Sequence, residues 1–368
     1  MIRIGNVQLK SNVLLAPIAG HCDVAFRVTA RSCGGVGMAF TDLLCPHGLL
    51  KENSQSLWLS TTADDDQPLG MQLYGQDPDL MAKAARWAVD HGAATIDINM
   101  GCPVDKVTKT FAGSMMLCTP DATVGVAERL VNTVDVPVTA KLRLGYLKDE
   151  LTAPALADRL VGVGIKAITI HGRTAFQRFK GSVSWDGITE VVNAIGGRVP
   201  VFGNGDIHTP MDAQRMIAYT GCDGVMIART ALQAPWILRD THHLLSTGEM
   251  PRELTLRERV EVIQRHFHNI LRFRESKYAL IIMRQKIGGY GKFLGHCRPL
   301  KDAIRALTDA SKFDHLVESY LEQIGEAADR IPVTWADRQE VHITNPPVAT
   351  RSTNNNATEP MSESVAVA

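Results

Sequence analysis

Asp97-Ile98-Asn99-Met100-Gly101-Cys102-Pro103 is the stretch of this chain whose residue types and spacing point most directly to chemistry. Ile96 and Ile98 alternate as in a buried strand, and Gly101 and Pro103 stop the backbone. Cys102 therefore falls on a loop at a strand's carboxyl end. A thiol with a pKa of roughly 8.5 is protonated at neutral pH yet acidic enough to give up its proton. The competing reading is a packing cysteine, since free Cys is among the most buried residue types. Other groups sit at equivalent stations. Lys141, followed by Arg143, could neutralise an electron-rich ring or a phosphate. His171 could bind a cofactor or be a satisfied core residue, and the polar loop after it, through Gln177 and Gly181, offers Arg173 and Arg178 to substrate phosphates. Gly203-Asn204-Gly205-Asp206-Ile207 lets the backbone approach a ligand closely. Ala228-Arg229-Thr230-Ala231 opens a helix whose free N–H groups favour an anion, so a phosphorylated cofactor is expected there. No His/Cys/Asp/Glu cluster has metal-ligand spacing, and no metal site is expected.

The elements that must position these groups repeat a strand, a polar or Gly-rich loop and a helix. Strands are expected at Val13–Ala16, Gly37–Thr41, Leu69–Leu73, Thr95–Ile98, Val136–Ala140, Ala167–Ile170, Pro200–Phe202 and Gly224–Ile227. Amphipathic helices are expected at Pro78–His91, Pro120–Asn132, Ala153–Val163, Trp185–Ile195 and Pro210–Tyr219. This pattern fits an α/β fold, a (β/α)8 TIM barrel over residues 1–245, with chemistry at the carboxyl ends of the strands. A doubly wound sheet is the runner-up, but no Gly-x-Gly-x-x-Gly follows an early strand. Ile2–Leu9 reads as a hairpin capping the barrel floor. From Thr255 the texture is helical: Leu256–Glu275, Lys277–Ile287, Leu300–Ala310 and Phe313–Asp329. Residues 251–335 thus form a C-terminal helical bundle, joined near Ser246–Pro251. The tail, 341–368, is rich in Asn, Thr, Pro, Ser and Ala and is expected to stay disordered.

The net charge of zero hides an asymmetry: residues 251–312 carry 14 Lys/Arg against 6 Asp/Glu. A polyanion would bind there if one does, and Arg272, Arg274 and Lys277 are the candidates to contact it. The seven cysteines (22, 33, 45, 102, 118, 222 and 297) include no Cys-x-x-Cys pair, which favours a reducing cytoplasm over a disulfide framework. No apolar run approaches the roughly 20 residues of a membrane span, and Met1-Ile2-Arg3-Ile4-Gly5 lacks the features of a secretion signal. A cytoplasmic protein is expected.

Over roughly residues 1–310 the chain resembles the tRNA-dihydrouridine synthase family, and within it the bacterial B-type members. The resemblance rests on Leu15-Ala16-Pro17-Ile18-Ala19-Gly20, Gln72-Leu73-Tyr74-Gly75, Asp97–Pro103, Ala112-Gly113-Ser114, Lys141-Leu142-Arg143, His171-Gly172-Arg173-Thr174 with Gln177, 203–207 and 221–227, in that order. It implies an FMN barrel with a helical tRNA-binding domain, a monomer, reducing the C5=C6 bond of specific uridines at the expense of NADPH or NADH. Hydride would pass from FMN N5 to C6, and Cys102 would be the acid that protonates C5. FMN would be held by Pro17, Ile18, Ala19, Gln72, Lys141, His171, Asn204, Gly205, Asp206, Ala228 and Arg229. Asn99 would position the uracil, with Arg143, Arg173 and Arg178 on the substrate side. The chain departs from the family pattern at Cys22, at Phe111, at Ala228 and Thr230, and in the helical domain at Arg284-Gln285-Lys286 with Gly288-Gly289-Tyr290. Two alternatives stand beside this reading: an FMN reductase of free pyrimidines or of another RNA class, and an RNA-binding protein on a degenerate barrel. The basic helical segment counts against a free pyrimidine, and the joint presence of Asn99, Cys102, Lys141 and His171 counts against the second.

Overall fold

A computed structural model describes residues 2–340. The expected tail, 341–368, lies outside the described residues. Eight parallel strands, β3 (Val13–Leu15), β4 (Met38–Phe40), β5 (Leu69–Leu73), β6 (Thr95–Met100), β7 (Val138–Arg143), β8 (Ile168–His171), β9 (Val201–Asn204) and β10 (Gly224–Ile227), close into a barrel in chain order, β10 pairing with β3. The antiparallel hairpin β1 (Arg3–Ile4) and β2 (Val7–Gln8) turns at Gly5.

Side-chain alternation along each strand divides the barrel into two environments. Ile96, Ile98 and Met100 of β6 and Val138, Ala140 and Leu142 of β7 face outward into one buried core with the surrounding helices. Inside, Leu14, Met38, Phe40, Phe202 and Met226 form a separate apolar plug with Ile4 and Leu9 from the hairpin. Each of these large side chains contributes about 1.5–3 kcal/mol by burial. Above the plug the inward positions turn polar: Gln72, Asp97, Asn99, Thr139, Lys141, Arg143, His171 and Asn204. The floor is sealed and the carboxyl end is left chemically active.

Four strands run further than the apolar pattern indicates. β6 continues to Met100, β7 to Arg143, β8 to His171 and β9 to Asn204. In each, a polar side chain that reads as the end of the run points into the barrel while its backbone stays in the ladder. β7 also starts later than expected, at Val138; Pro137 has no N–H for a ladder, although its carbonyl accepts from Ile96 N at 3.0 Å. Conversely, β3 and β4 are shorter than expected.

The C-terminal helices also shift. Leu256–Phe273 ends where Arg274 turns extended, Ser276–Tyr290 outlasts the expected Ile287, Arg298–Ala306 is displaced, and Phe313–Ile324 stops at Gly325, whose φ is +53°. This bundle packs on the barrel helix Val24–Cys33. Asn269 Nδ2 donates to Thr29 Oγ1 (2.9 Å), the His266 ring meets Phe26 edge-on (5.6 Å), and Lys286 Nζ donates to His21 O (3.1 Å). Among the described residues no helix is long and apolar enough to cross a membrane.

Candidate active site

A chain of buried hydrogen bonds links the barrel interior to Cys102. The Asp97 carboxylate accepts from Thr139 Oγ1 and Gln72 Nε2, each at 2.6 Å. Gln72 Oε1 accepts from Asn99 Nδ2 at 2.8 Å, and Asn99 Oδ1 accepts the backbone N–H groups of Cys102 (2.9 Å) and Gly101 (3.2 Å). Every amide is therefore oriented by its neighbour, and the Cys102 turn is tied to two adjacent strands.

Arg143 secures the same turn from the other side. Its Nε donates to Gly101 O (2.8 Å) and its Nη1 to Thr174 O (2.7 Å) and Arg178 O (2.8 Å), which joins the Cys102 loop to the loop after β8. At the third edge, Asp42 accepts the backbone N–H groups of Gly20 and Leu43, holding the Pro17–Gly20 turn against β4.

These surroundings set the proton inventory. Burial raises the Cys102 thiol above its ordinary pKa, although the Val104 N–H, Arg143 and Lys141 oppose this, so it is a neutral thiol at neutral pH. Burial likewise raises Asp97 to about 6 and lowers Lys141 to about 8, with Arg143 adding to the latter effect. His171 is driven well below its usual value by burial and by Lys141, Arg143, Arg173 and Arg229, and is a neutral imidazole.

The network borders a cavity of about 380 Å³ whose walls include Pro17, Ile18, Ala19, Gln72, Lys141, His171, Asn204–Asp206 and Ala228–Thr230. Two observations bear on what it can hold. Gly205 has φ of +114°, and a Cβ there would lie 2.7 Å from Val183 Cγ2 and 2.8 Å from His171 Cδ2, so the β9 loop lies close against the wall. Lys141 is half-buried, with Nζ donating to Asn204 Oδ1 (3.1 Å), and the hydrogen bonds of the Arg143 guanidinium go to carbonyl oxygens. Among the described residues, both cations thus bring charge to the wall without a direct carboxylate partner. The donor set fits a flat, anionic, phosphorylated ligand such as a flavin nucleotide.

Comparison with known proteins decides the family. The model of the dihydrouridine synthase (Dus) family matches residues 14–328. This chain belongs to that family. A tRNA-dihydrouridine synthase B of Proteus vulgaris is 36% identical over 87% of this chain and 98% of its own length. That of Escherichia coli K12 is 35% identical over 87% and 99%, and a probable tRNA-dihydrouridine synthase of Rickettsia conorii is 33% identical over 84% and 93%. A solved structure of mandelate oxidase aligns at a TM-score of 0.43 and 21% identity over 64% of this chain and 71% of its own.

Within this dihydrouridine synthase, the residues singled out in the sequence are only partly brought together. Cys102, Asn99, Arg143, Gln72, Lys141, His171, Asn204–Asp206, Ala228, Arg229 and Pro17–Ala19 all line the cavity. Arg173 does not face solvent. It is buried, its guanidinium taken up by Asp206 (3.0 and 2.6 Å) and the carbonyls of Lys180 and Gly181, so it supports the β9 loop. Arg178 is exposed, 3.6 Å from Asp105. Arg272 pairs with Asp65 (2.6 Å), Lys277 with Glu275 (2.8 Å), and Arg274 stacks on Trp58 (3.7 Å), all away from the cavity walls. Sequence reasoning passed over Asp97 as a hub. The available signal was its position two residues before Asn99, on the same strand face. It also passed over Phe179, whose ring lies 5.5 Å from the guanidinium of Arg143 and 5.7 Å from that of Arg229.

Proposed function

We propose that this protein reduces the C5=C6 bond of uridines in tRNA to give 5,6-dihydrouridine, with FMN as its bound cofactor and NADPH or NADH as reductant. The observation that carries the reading is the neutral Cys102 thiol, held at the rim of a cationic cavity by Asn99 and Arg143. Family membership supports the same substrate class.

When bound, FMN supplies a hydride to uracil C6. The protein's part is to hold both rings and manage the charge. Pro17, Ile18, Ala19, Gln72, Lys141 and His171 would hold the flavin ring system. Gly205, Asp206, Ala228 and Arg229 would hold its phosphate through backbone N–H groups and the Arg229 guanidinium. Contrary to the sequence expectation, Ala228–Ala231 forms a turn and the helix begins only at Ile237, so no helix N-terminus takes part. Lys141 would balance the negative charge of the reduced ring. The Cys102 thiol would give its proton to uracil C5, matching the hydride at C6 so that the base ends neutral. Asn99, already fixed by Gln72, would position the uracil beside that thiol. A base stacked within an RNA helix does not offer its C5 and C6 to a group in an enzyme cavity, so the target uridine would be turned out of its RNA. Arg178, Arg272, Arg274 and Lys277 are the candidates to grip the phosphate backbone.

The test pairs a spectrum with a map. Purified protein should carry or take up FMN, and a strain lacking it should lose dihydrouridine at defined tRNA positions. A colourless preparation that acquires no flavin spectrum with added FMN would remove both enzyme readings. Loss of dihydrouridine elsewhere than in tRNA would redirect the substrate.

A further inference from the structure

Three of the chain's ten phenylalanines are exposed, and all three stand on loops beside Cys102. Phe111 is 57% exposed on the Cys102 loop, while Phe176 and Phe179 are 66% and 59% exposed on the loop after β8. Six of the others are buried, and Phe273 is half-buried. Phe111 is the least expected of the three. Its φ is +57°, a left-handed conformation that is a genuine outlier for a bulky side chain.

The backbone around it explains how it is presented. Phe111 N donates to Thr108 O (2.9 Å) at the end of a short helical turn. Three residues later Ser114 N donates to Cys102 O (3.0 Å), and Gly113 packs so closely that a Cβ would lie 2.6 Å from Cys102 O. The segment therefore folds back over the Cys102 turn while directing its ring to solvent. Lys106 and Lys109 are exposed on the same turn, and Arg178 faces it through Asp105 (3.6 Å).

We propose that Phe111 is a stacking platform for an unpaired base of the tRNA next to the reacting uridine, an inference that rests on the tRNA reading above. A uridine turned out to reach Cys102 leaves its neighbours without a stacking partner, and a presented aromatic ring replaces it. Exposed Lys106 and Lys109 on the turn that leads into the ring, with Arg178 beside Asp105 of that turn, suit a base flanked by phosphates, the usual arrangement in single-stranded nucleic acid recognition. A purely apolar partner would not answer to those charges.

Glycine provides the decisive control, because it adopts positive φ without strain and so relaxes the loop while removing the ring. Binding of purified tRNA is measured by filter retention for the wild-type protein and for Phe111→Gly, Phe111→Ala and Phe111→Trp. Loss of one base–aromatic stack predicts that Phe111→Gly and Phe111→Ala bind about tenfold more weakly, with Phe111→Trp close to the wild-type protein. Flavin content and thermal stability of Phe111→Gly should be undiminished. Binding by Phe111→Gly as tight as wild type overturns the stacking role. If the wild-type protein forms dihydrouridine while Phe111→Gly binds unchanged, the stacking inference alone fails. If the ring is needed for tRNA binding yet no dihydrouridine forms, the reductase reading alone fails. A wild-type protein that binds no tRNA overturns both.

Discussion

Asn99 Oδ1 accepts the backbone N–H of Cys102 at 2.9 Å, so the side chain proposed to meet the uracil is also the one that fixes the turn carrying the proposed acid. Its own amide is oriented in turn by Gln72, which is oriented by Asp97. Asn99→Ala would leave Gln72 Oε1 and the Cys102 N–H without partners. Each buried group left unpaired costs about 1–3 kcal/mol, and the displaced thiol loses its aim. The expected result is a lower melting temperature together with a fall in dihydrouridine formation of at least about tenfold, flavin being retained. Turnover at the wild-type rate would mean that the turn holds itself.

Half-buried Lys141 and buried Asp97, which act on each other through their charges, predict a pH dependence. Burial lowers Lys141 to about 8, and the negative charge of Asp97 opposes that shift. Asp97, raised to about 6, is ionised at neutral pH and supplies that charge. Activity that needs a charged Lys141 should therefore decline as pH rises through about 8. The Cys102 thiol, raised above its ordinary value, titrates later. Asp97→Asn removes the opposing charge, so the Lys141 pKa falls further and the alkaline limb moves toward neutral pH. Initial rates of dihydrouridine formation across the neutral-to-alkaline range would show it. A limb that stays in place would assign it to another group.

Glycines at positive φ separate backbone strain from site geometry. Gly248→Ala, at φ +80° with open space around the added methyl, should cost only the conformational penalty of about 1–2 kcal/mol. Gly205→Ala, at φ +114°, adds collisions with Val183 and His171, the latter a cavity wall. It should lose more stability and also lower the flavin content of the purified protein, which absorbance and thermal melting would measure. Equal flavin content in the two variants would argue that the β9 loop does not support the cofactor.

How much of this was legible before folding depends on range. Ile96 and Ile98 alternate with Asp97 and Asn99, so the strand and its inward polar face can be read locally, and Cys102 falls at the mouth by spacing alone. Strand ends were misplaced at Lys141, His171 and Asn204 because a polar side chain inside a barrel interrupts an apolar pattern without ending the ladder. Arg173 reads as a candidate phosphate contact because its partner, Asp206, lies 33 residues away and only the closed barrel brings them together. The same holds for the Arg143 bonds to Thr174 and Arg178 carbonyls. Phe111 stood out in sequence only as a departure from the family pattern; its left-handed backbone and exposure belong to the folded loop.

The central claim is that the Cys102 thiol supplies the proton to uracil C5. It is tested most directly by purifying Cys102→Ala and following two signals, reduction of its flavin by NADPH and dihydrouridine formed in tRNA. Loss of a positioned general acid predicts unchanged flavin content and reduction, with dihydrouridine formation lower by about 10²–10⁴-fold. Undiminished dihydrouridine from that variant would contradict the assignment.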